Sequence, residues 1–335
     1  MVAKKLLCAT CALFLGVSVF TGCSSNNSKS ENKSNKMVNI GISQLVEHPA
    51  LDSTRKGFID ALSSKGYKDG DKIKIDFQNA QGDIPTAQTI ASNFVSNKKD
   101  LILAIATPAA QAAYNSTKDI PILITAVTDP VNSGLVKSMD KPGTNVTGTS
   151  DASPIDKQFE LIKKLVPNCK KIGILYNTSE ANSEFQVKAA KEQASKMNLE
   201  IVAVGITSSN DISQALNSLL SKVDVLYTPT DNLVASSMSI ISSKCIEKKI
   251  PLIGSEKAHV EAGALATEGI DFYKLGFQTG LMAVDIINGK KPADMPVQTL
   301  KETKLTINEN TAQKLGITIP EDLKSKAELV KGGAK

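Results

Sequence analysis

The sequence predicts an α/β protein made of two Rossmann-like lobes, each a parallel sheet with helices crossing over it. Three observations lead there. From Met37 onward, short β-branched runs alternate with longer amphipathic stretches, as strands joined by crossover helices do. That alternation runs through four strands and then begins again. Between the two series, short strings recur in the same order: Ile40-Gly41-Ile42 as Ile172-Gly173-Ile174, Thr107-Pro108 as Thr228-Pro229, and Ile120-Pro121 as Ile250-Pro251, at offsets of 132, 121 and 130 residues. A single dipeptide means nothing, but three in register indicate two domains of one design.

The chain has 335 residues, 41% hydrophobic and 22% charged, enough for two domains with real cores. Residues 1–22, MVAKKLLCATCALFLGVSVFTG, set two lysines before an uncharged, mostly apolar run from Leu6 to Phe20 and then small residues. This is the layout of a secretory signal, and the run is shorter than the ~20 apolar residues a spanning helix needs. Phe20-Thr21-Gly22-Cys23 is similar to the lipobox at which bacterial lipoproteins are cleaved and lipidated on the cysteine, with Phe20 where leucine is usual. Cys8 and Cys11 have the spacing of a redox pair but leave with the signal, and Cys169 and Cys245 then remain as buried free thiols. Residues 24–36, SSNNSKSENKSNK, hold no apolar side chain and form a flexible tether of roughly 20 Å.

In the body, strands are expected at Val38–Ser43, Ile73–Phe77, Leu101–Ala106 and Ile122–Ala126, and again at Lys171–Tyr176, Glu200–Val204, Val223–Tyr227 and Leu252–Gly254. Ser153 and Pro154 open a helix carrying Ile155, Phe159, Ile162 and Leu165, with Pro167 as its stop. Asp271 caps another, with Phe272, Leu275, Thr279, Met282, Ala283, Ile286 and Ile287 on one face and Gly289 at its end.

Composition removes several classes of function. Formal charge is +5; without Lys4 and Lys5, 37 basic residues face 34 acidic ones and the net is +3. Arg55 is the single arginine, so no fork of guanidinium groups exists to grip phosphate or nucleic acid. No Gly-x-Ser-x-Gly elbow, P-loop, Gly-x-Gly-x-x-Gly string or metal-spaced His/Cys cluster occurs, and only two histidines are present. Neither catalysis, a cofactor nor a metal is expected.

Ligands of open parallel sheets bind beyond the carboxyl ends of the strands, where helix N-termini converge. Two such sheets face to face make a cleft, and the loops there are polar. The first half offers Gln44, Glu47 and His48, then Thr107, Pro108 and Ala109, then Thr128 and Asp129. The second offers Tyr176, Asn177, Glu180, Asn182 and Ser183, then Thr228 and Asp231, then Ser255 and Glu256; Asp271 completes the set. Several have plainer readings: Asp231 as a helix N-cap, Glu47 and Glu180 as solvated loop charges, His48 as a surface residue, Tyr176 as core and Asp129 as part of an Asp-Pro turn. His259, within a helix and away from the strand ends, is expected at the surface.

The order of VEHPALD, ATPAAQA, VTDP, NVTG, ILYNTSEANS, YTPTDN and GALATEGIDFYKLGFQTG, together with the lipobox, resembles the substrate-binding lipoproteins of ABC importers. The likeness runs from Met37 to Pro320 and is to the group that includes tryptophan and tyrosine binders. It implies a type I periplasmic-binding-protein fold: two lobes, three hinge crossovers and a ligand enclosed on closure. On that layout one lobe holds residues 37–150 and 270–300 and the other 151–269 and 301–330, with crossovers near Thr147–Asp151, Thr267–Asp271 and Pro296–Thr303. It also implies a lipid-anchored monomer outside the bacterial cytoplasmic membrane, handing its ligand to a permease driven by a cytoplasmic ATPase. A receptor subunit for sensing is the alternative, and a DNA-binding relative is set aside because the signal and tether stand where its DNA-binding helices would be.

A free amino acid needs donors for its carboxylate and an acceptor for its ammonium. Backbone amides and the hydroxyl at Thr107–Ala110 open a helix that favours an anion, and Asp231 or Glu256 can accept from the ammonium. The resemblance favours an aromatic amino acid; absence of tryptophan argues against a pyranose, while branched amino acids, nucleosides and sugars stay open.

Overall fold

The computed structural model describes residues 37–332, so the expected signal (1–22), Cys23 and tether (24–36) lie outside the described residues. The chain begins with β1 (Val38–Gln44), α1 (Pro49–Ser64), β2 (Ile73–Asn79), α2 (Ile84–Ser96), β3 (Leu101–Ile105), α3 (Thr107–Ser116), β4 (Ile122–Thr125) and β5 (Val146–Ser150). A second run follows as α4 (Ile155–Leu165), β6 (Lys171–Asn177), α5 (Ala181–Lys196), β7 (Glu200–Ile206), α6 (Ile212–Leu220), β8 (Val225–Thr228), α7 (Asn232–Ser236), α8 (Met238–Glu247), β9 (Leu252–Gly254), α9 (Lys257–Glu261) and β10 (Ala266–Gly269). The end of the chain is α10 (Phe272–Ile287), β11 (Gln298–Thr299), β12 (Lys304–Asn308), α11 (Glu309–Leu315), α12 (Glu321–Lys324) and β13 (Glu328–Val330). Among the described residues, no helix is long and apolar enough to cross a membrane.

These strands form two sheets, one ordered β11-β5-β4-β3-β1-β2 and the other β13-β12-β10-β9-β8-β6-β7. Their first five strands follow the same doubly wound order, 2-1-3-4-5, and all pair in parallel. The recurring strings therefore occupy matching places: Ile40-Gly41-Ile42 lies in β1 and Ile172-Gly173-Ile174 in β6, each one strand in from the edge. The chain changes sheet three times, at residues 151–154, 270–271 and 300–303. Parts of all three segments expected in crossovers are strand instead: Thr147–Ser150 belongs to β5, Thr267–Gly269 to β10 and Gln298–Thr299 to β11. β5 and β10 escaped the strand reading because Thr147, Thr149, Ser150 and Thr267 bury hydroxyls where an apolar pattern would show alkyl groups. In β5, Thr147 donates to the Met295 carbonyl at 2.6 Å, Thr149 meets Thr279 Oγ1 at 2.8 Å and Ser150 donates to the Thr128 carbonyl at 2.9 Å.

The strand cores are apolar throughout because helices cover both faces of each sheet. In β8, Val225 and Tyr227 pack on one side with Phe159, Ile162 and Ile253, whereas Leu226 packs on the other with Leu216 and Leu252. Phe159 meets the Tyr227 ring edge-on, centroids 5.7 Å apart. Cys169 and Cys245 are free thiols in these cores. Asp271 caps α10 by accepting from Lys274 N at 3.0 Å. Ser153 does not cap α4: Pro154 takes that position and the Ser153 hydroxyl has no partner.

In the first lobe, α1 and α10 pack backbone against backbone. A Cβ on Gly57 would lie 2.1 Å from the Tyr273 carbonyl oxygen, and one on Gly276 would lie 1.9 Å from that of Thr54. No rotamer change relieves a clash with backbone, so the two helices behave as one body. Gly276→Ala is expected to lower unfolding free energy by about 2 kcal/mol or more, the cost of overpacking a rigid contact; a urea midpoint unchanged from that of the parent would show that the helices can slide apart.

Candidate functional site

In both sheets the strand order reverses beside the second strand from the edge, between β1 and β3 and between β6 and β8. The connections leaving these strands therefore diverge and leave a crevice at their carboxyl ends. The two crevices face each other and are closed on one another: Thr128 Oγ1 of the first lobe lies 3.3 Å from Thr230 Oγ1 of the second, and His48 Nδ1 lies 4.0 Å from Glu256 Oε1. Between them is a cavity lined by His48, Leu51, Ala126, Thr128, Asp151, Asn182, Thr230, Asp231, Asn232, Ala235, Glu256 and Phe272. The room inside is about 20 Å³, space for about one water, so anything larger enters only with the lobes apart. A wider hollow of about 250 Å³ lies along the seam between the start of α1 and β12–β13. Its charges are already paired, Glu328 with Lys257 and Lys304 at 2.8 Å each, and its mixed exposed lining lacks the convergence of buried groups seen in the cavity.

The acidic side chains around the cavity differ in how fully they are used. Asp231 caps α7 through Val234 N at 2.9 Å and also accepts from Asn177 N at 2.6 Å and Ser183 Oγ at 2.7 Å. Glu180 accepts from Asn177 Nδ2 at 3.1 Å, Asn182 Nδ2 at 3.2 Å and both nitrogens of Asn232. These bonds tie the β6–α5 loop to the start of α7. Burial pushes the Glu180 carboxyl up to about 7, with the nearby Asp231 charge adding to it, and burial raises Asp231 too. In contrast, Asp151 Oδ1 is buried without a hydrogen bond, as are both ring nitrogens of His48, the Asn182 carbonyl oxygen and the Ser255 and Thr107 hydroxyls, and Glu256 Oε1 has only the His259 ring beside it. Burial, helped by the charge of Glu256, lifts Asp151 to about 7. Burial also pushes Glu256 up, but its histidine neighbours outweigh that and hold it below the ordinary carboxylate value. Burial lowers His48 and so favours its neutral form, which leaves most of that effect to His259, whose Nε2 lies 3.2 Å from Glu256 Oε1.

Of the residues singled out from the sequence, His48, Thr128, Asn182, Asp231 and Glu256 line the cavity. Asn177, Glu180 and Ser183 stand one hydrogen bond behind it, and Thr228 holds the His259 ring through a 3.2 Å contact to Nδ1. Thr107, Pro108 and Ala109 are buried at the start of α3, and Ser255 is buried beside Glu256. Five residues are placed elsewhere. Gln44 turns away to bond Val46 O, Asp52 and Arg55, the last stacked over the Phe77 ring. Glu47 and Asp271 are exposed, Asp129 closes its own turn through Val131 N and Asn132 N, and Tyr176 lies half-buried against the sheet next to Gly205. His259, expected at the surface, is 1% exposed; three residues after Glu256, it shares that residue's side of the short helix α9.

Sequence reading missed Asp151, Thr230, Asn232 and Gln186. Gln186 is four residues after Asn182 on α5, hence on the same face, and it grips the backbone and hydroxyl of Thr230 at 2.8–3.0 Å. That spacing was available as a signal. Asp151 had none, because it follows a strand that no apolar pattern marks.

Residues 39–331 match the family described as ABC transporter substrate binding protein. The chain is 59% identical over 319 residues to a tyrosine-binding protein of Clostridioides difficile, covering 93% of this chain and 92% of that one. It is 44% identical to an ABC domain from Streptococcus pneumonia solved in complex with L-Trp, covering 88% of this chain and all of that one, with a TM-score of 0.86. The ligand-free, open structure of a substrate-binding protein with adhesive properties from Clostridium difficile is more similar in sequence, at 57% over the same coverage, yet superposes less well, at 0.69. With the family match over residues 39–331, a shared fold and near full-length similarity, the chain belongs to the substrate-binding proteins of ABC transporters.

Proposed function

We propose that the chain captures an aromatic α-amino acid, tyrosine or tryptophan, between its lobes and releases it chemically unchanged to an ABC permease. The observation that carries this is the convergence, from both lobes, of buried polar groups lacking internal partners on a cavity whose remaining wall, Leu51, Ala126, Ala235 and Phe272, is apolar. A zwitterion with an apolar side chain fits such a wall: acidic groups for its ammonium, hydrocarbon for its ring. Its carboxylate is assigned to the start of α3, where the helix dipole and the buried, unpartnered Thr107 hydroxyl favour an anion. The names of the Clostridioides difficile and Streptococcus pneumonia relatives support the aromatic choice.

Capture then follows a two-state scheme. The ligand enters with the lobes apart, touches both, and its differential contacts select the closed arrangement. Micromolar binding needs only about 8 kcal/mol in total. We assign Cys23 to lipidation after removal of residues 1–22, with residues 24–36 as the tether of a monomeric body at the outer face of the cytoplasmic membrane. Residues 37–150 with 270–300 form one lobe in this reading, and 151–269 with 301–330 the other.

L-tyrosine or L-tryptophan at 100 times its Kd is expected to stabilise the purified protein by about 2.7 kcal/mol, against little for leucine or ribose; a thermal-shift screen answered by a sugar and by no amino acid would remove the substrate assignment. Asp231→Ala removes a helix cap and two loop hydrogen bonds, so a loss of about 1–3 kcal/mol in unfolding free energy should accompany any loss of affinity. Intact stability with abolished binding would instead return Asp231 to direct ligand contact.

A further inference from the structure

We propose that Asp151 and Glu256 together receive the ligand's ammonium group, with the Asn182 carbonyl oxygen as third acceptor, and that this carboxylate pair holds the lobes apart until the ammonium arrives. The proposal rests on the amino-acid reading above and names the residues that carry it.

Of the four acidic side chains buried at or just behind the cavity, Glu180 and Asp231 spend their oxygens on the loops around them. Asp151, Glu256 and Asn182 line the same cavity; Asp151 Oδ1 and Asn182 Oδ1 are buried without a hydrogen-bond donor, and Glu256 Oε1 has only the His259 ring, with Nε2 at 3.2 Å. An ammonium brings three N–H donors and no acceptor, which matches three acceptor oxygens, two of them on carboxyl groups. Among the described residues, the charge acting on Asp151 is that of Glu256 and not of a cation. The facing side chain of the first lobe, His48, is 4.0 Å from Glu256 and makes no hydrogen bond through either ring nitrogen. His259, at 3.2 Å from Glu256 Oε1, serves that carboxylate alone.

Location turns this pair into a closure device. Asp151 sits in the first crossover, directly after β5, and Glu256 sits on the second lobe between β9 and α9. Closing the lobes removes both from water, and two carboxylates buried near each other without a cation are unfavourable on desolvation and on repulsion alike. A cation placed between them reverses both effects. Ligands without the positive charge are thereby rejected, and the free protein is biased toward the open state.

The test compares L-tyrosine with 3-(4-hydroxyphenyl)propionate, which lacks only the ammonium, by calorimetry, and measures the radius of gyration of the ligand-free protein by scattering. The parent protein should bind tyrosine about 100-fold more tightly than the analogue, the scale set by an unpaired buried charge. Asp151→Asn should weaken tyrosine while binding the analogue at least as tightly as the parent does, so that the preference shrinks from about 100-fold to under about 10-fold. Without ligand, both Asp151→Asn and Glu256→Gln should be more compact than the parent. Equal losses for the two ligands, or an unchanged radius of gyration in both folded variants, overturn the proposal. If the parent binds neither tyrosine nor tryptophan, the substrate reading fails by itself, and the scattering comparison still decides the pair: compaction upholds its role in closure and no change removes it.

Discussion

Burial of carboxyl groups where two lobes meet is the constraint around which the rest of this protein is arranged. A carboxylate taken out of water costs several kcal/mol unless donors or a cation replace the solvent. Four such groups are buried here, and the protein answers for each differently. Glu180 and Asp231 are surrounded by Asn, Ser and backbone donors; Glu256 has His259; Asp151 has the least. The gradient runs from loops inside the second lobe, which must hold their shape in every state, toward the seam, which must open.

A device of this kind needs rigid parts on both sides of a soft boundary. The first lobe achieves rigidity by bringing α1 and α10 into backbone contact at Gly57 and Gly276. Because α1 starts next to His48 and α10 starts just after the second crossover, their contact fixes the near wall of the cavity relative to the hinge. The second lobe relies on side chains instead: Gln186 holds Thr230, and Asp231 joins the end of β6 to α7. Duplicated topology places the two reversal points face to face, so a solute in the crevice of one sheet necessarily meets the crevice of the other.

Much of this was legible in the chain, and what was legible shares a cause. Eight strands with apolar, β-branched runs announced themselves, and the recurrence of Ile-Gly-Ile, Thr-Pro and Ile-Pro strings revealed the duplication because each string serves a backbone need common to both halves. β5 and β10 did not, since Thr147, Thr149, Ser150 and Thr267 satisfy their buried hydroxyls through partners far along the chain. The loops at strand ends were identifiable as polar, but polarity alone does not say which way a side chain turns. Gln44 leaves the cleft for Arg55 and Asp52, whereas Asn182, on the other lobe, enters it.

By itself, then, the sequence determined the α/β class, the two-lobed repeat and the position of the crevice, because these follow from periodicity and from where parallel strands end. Which acids face the seam, which merely cap helices, and that His259 is buried against Glu256 and not exposed were decided only in three dimensions. Hydrogen-bond saturation depends on partners from segments dozens of residues apart, and no local pattern records whether a carboxylate has already found its donors.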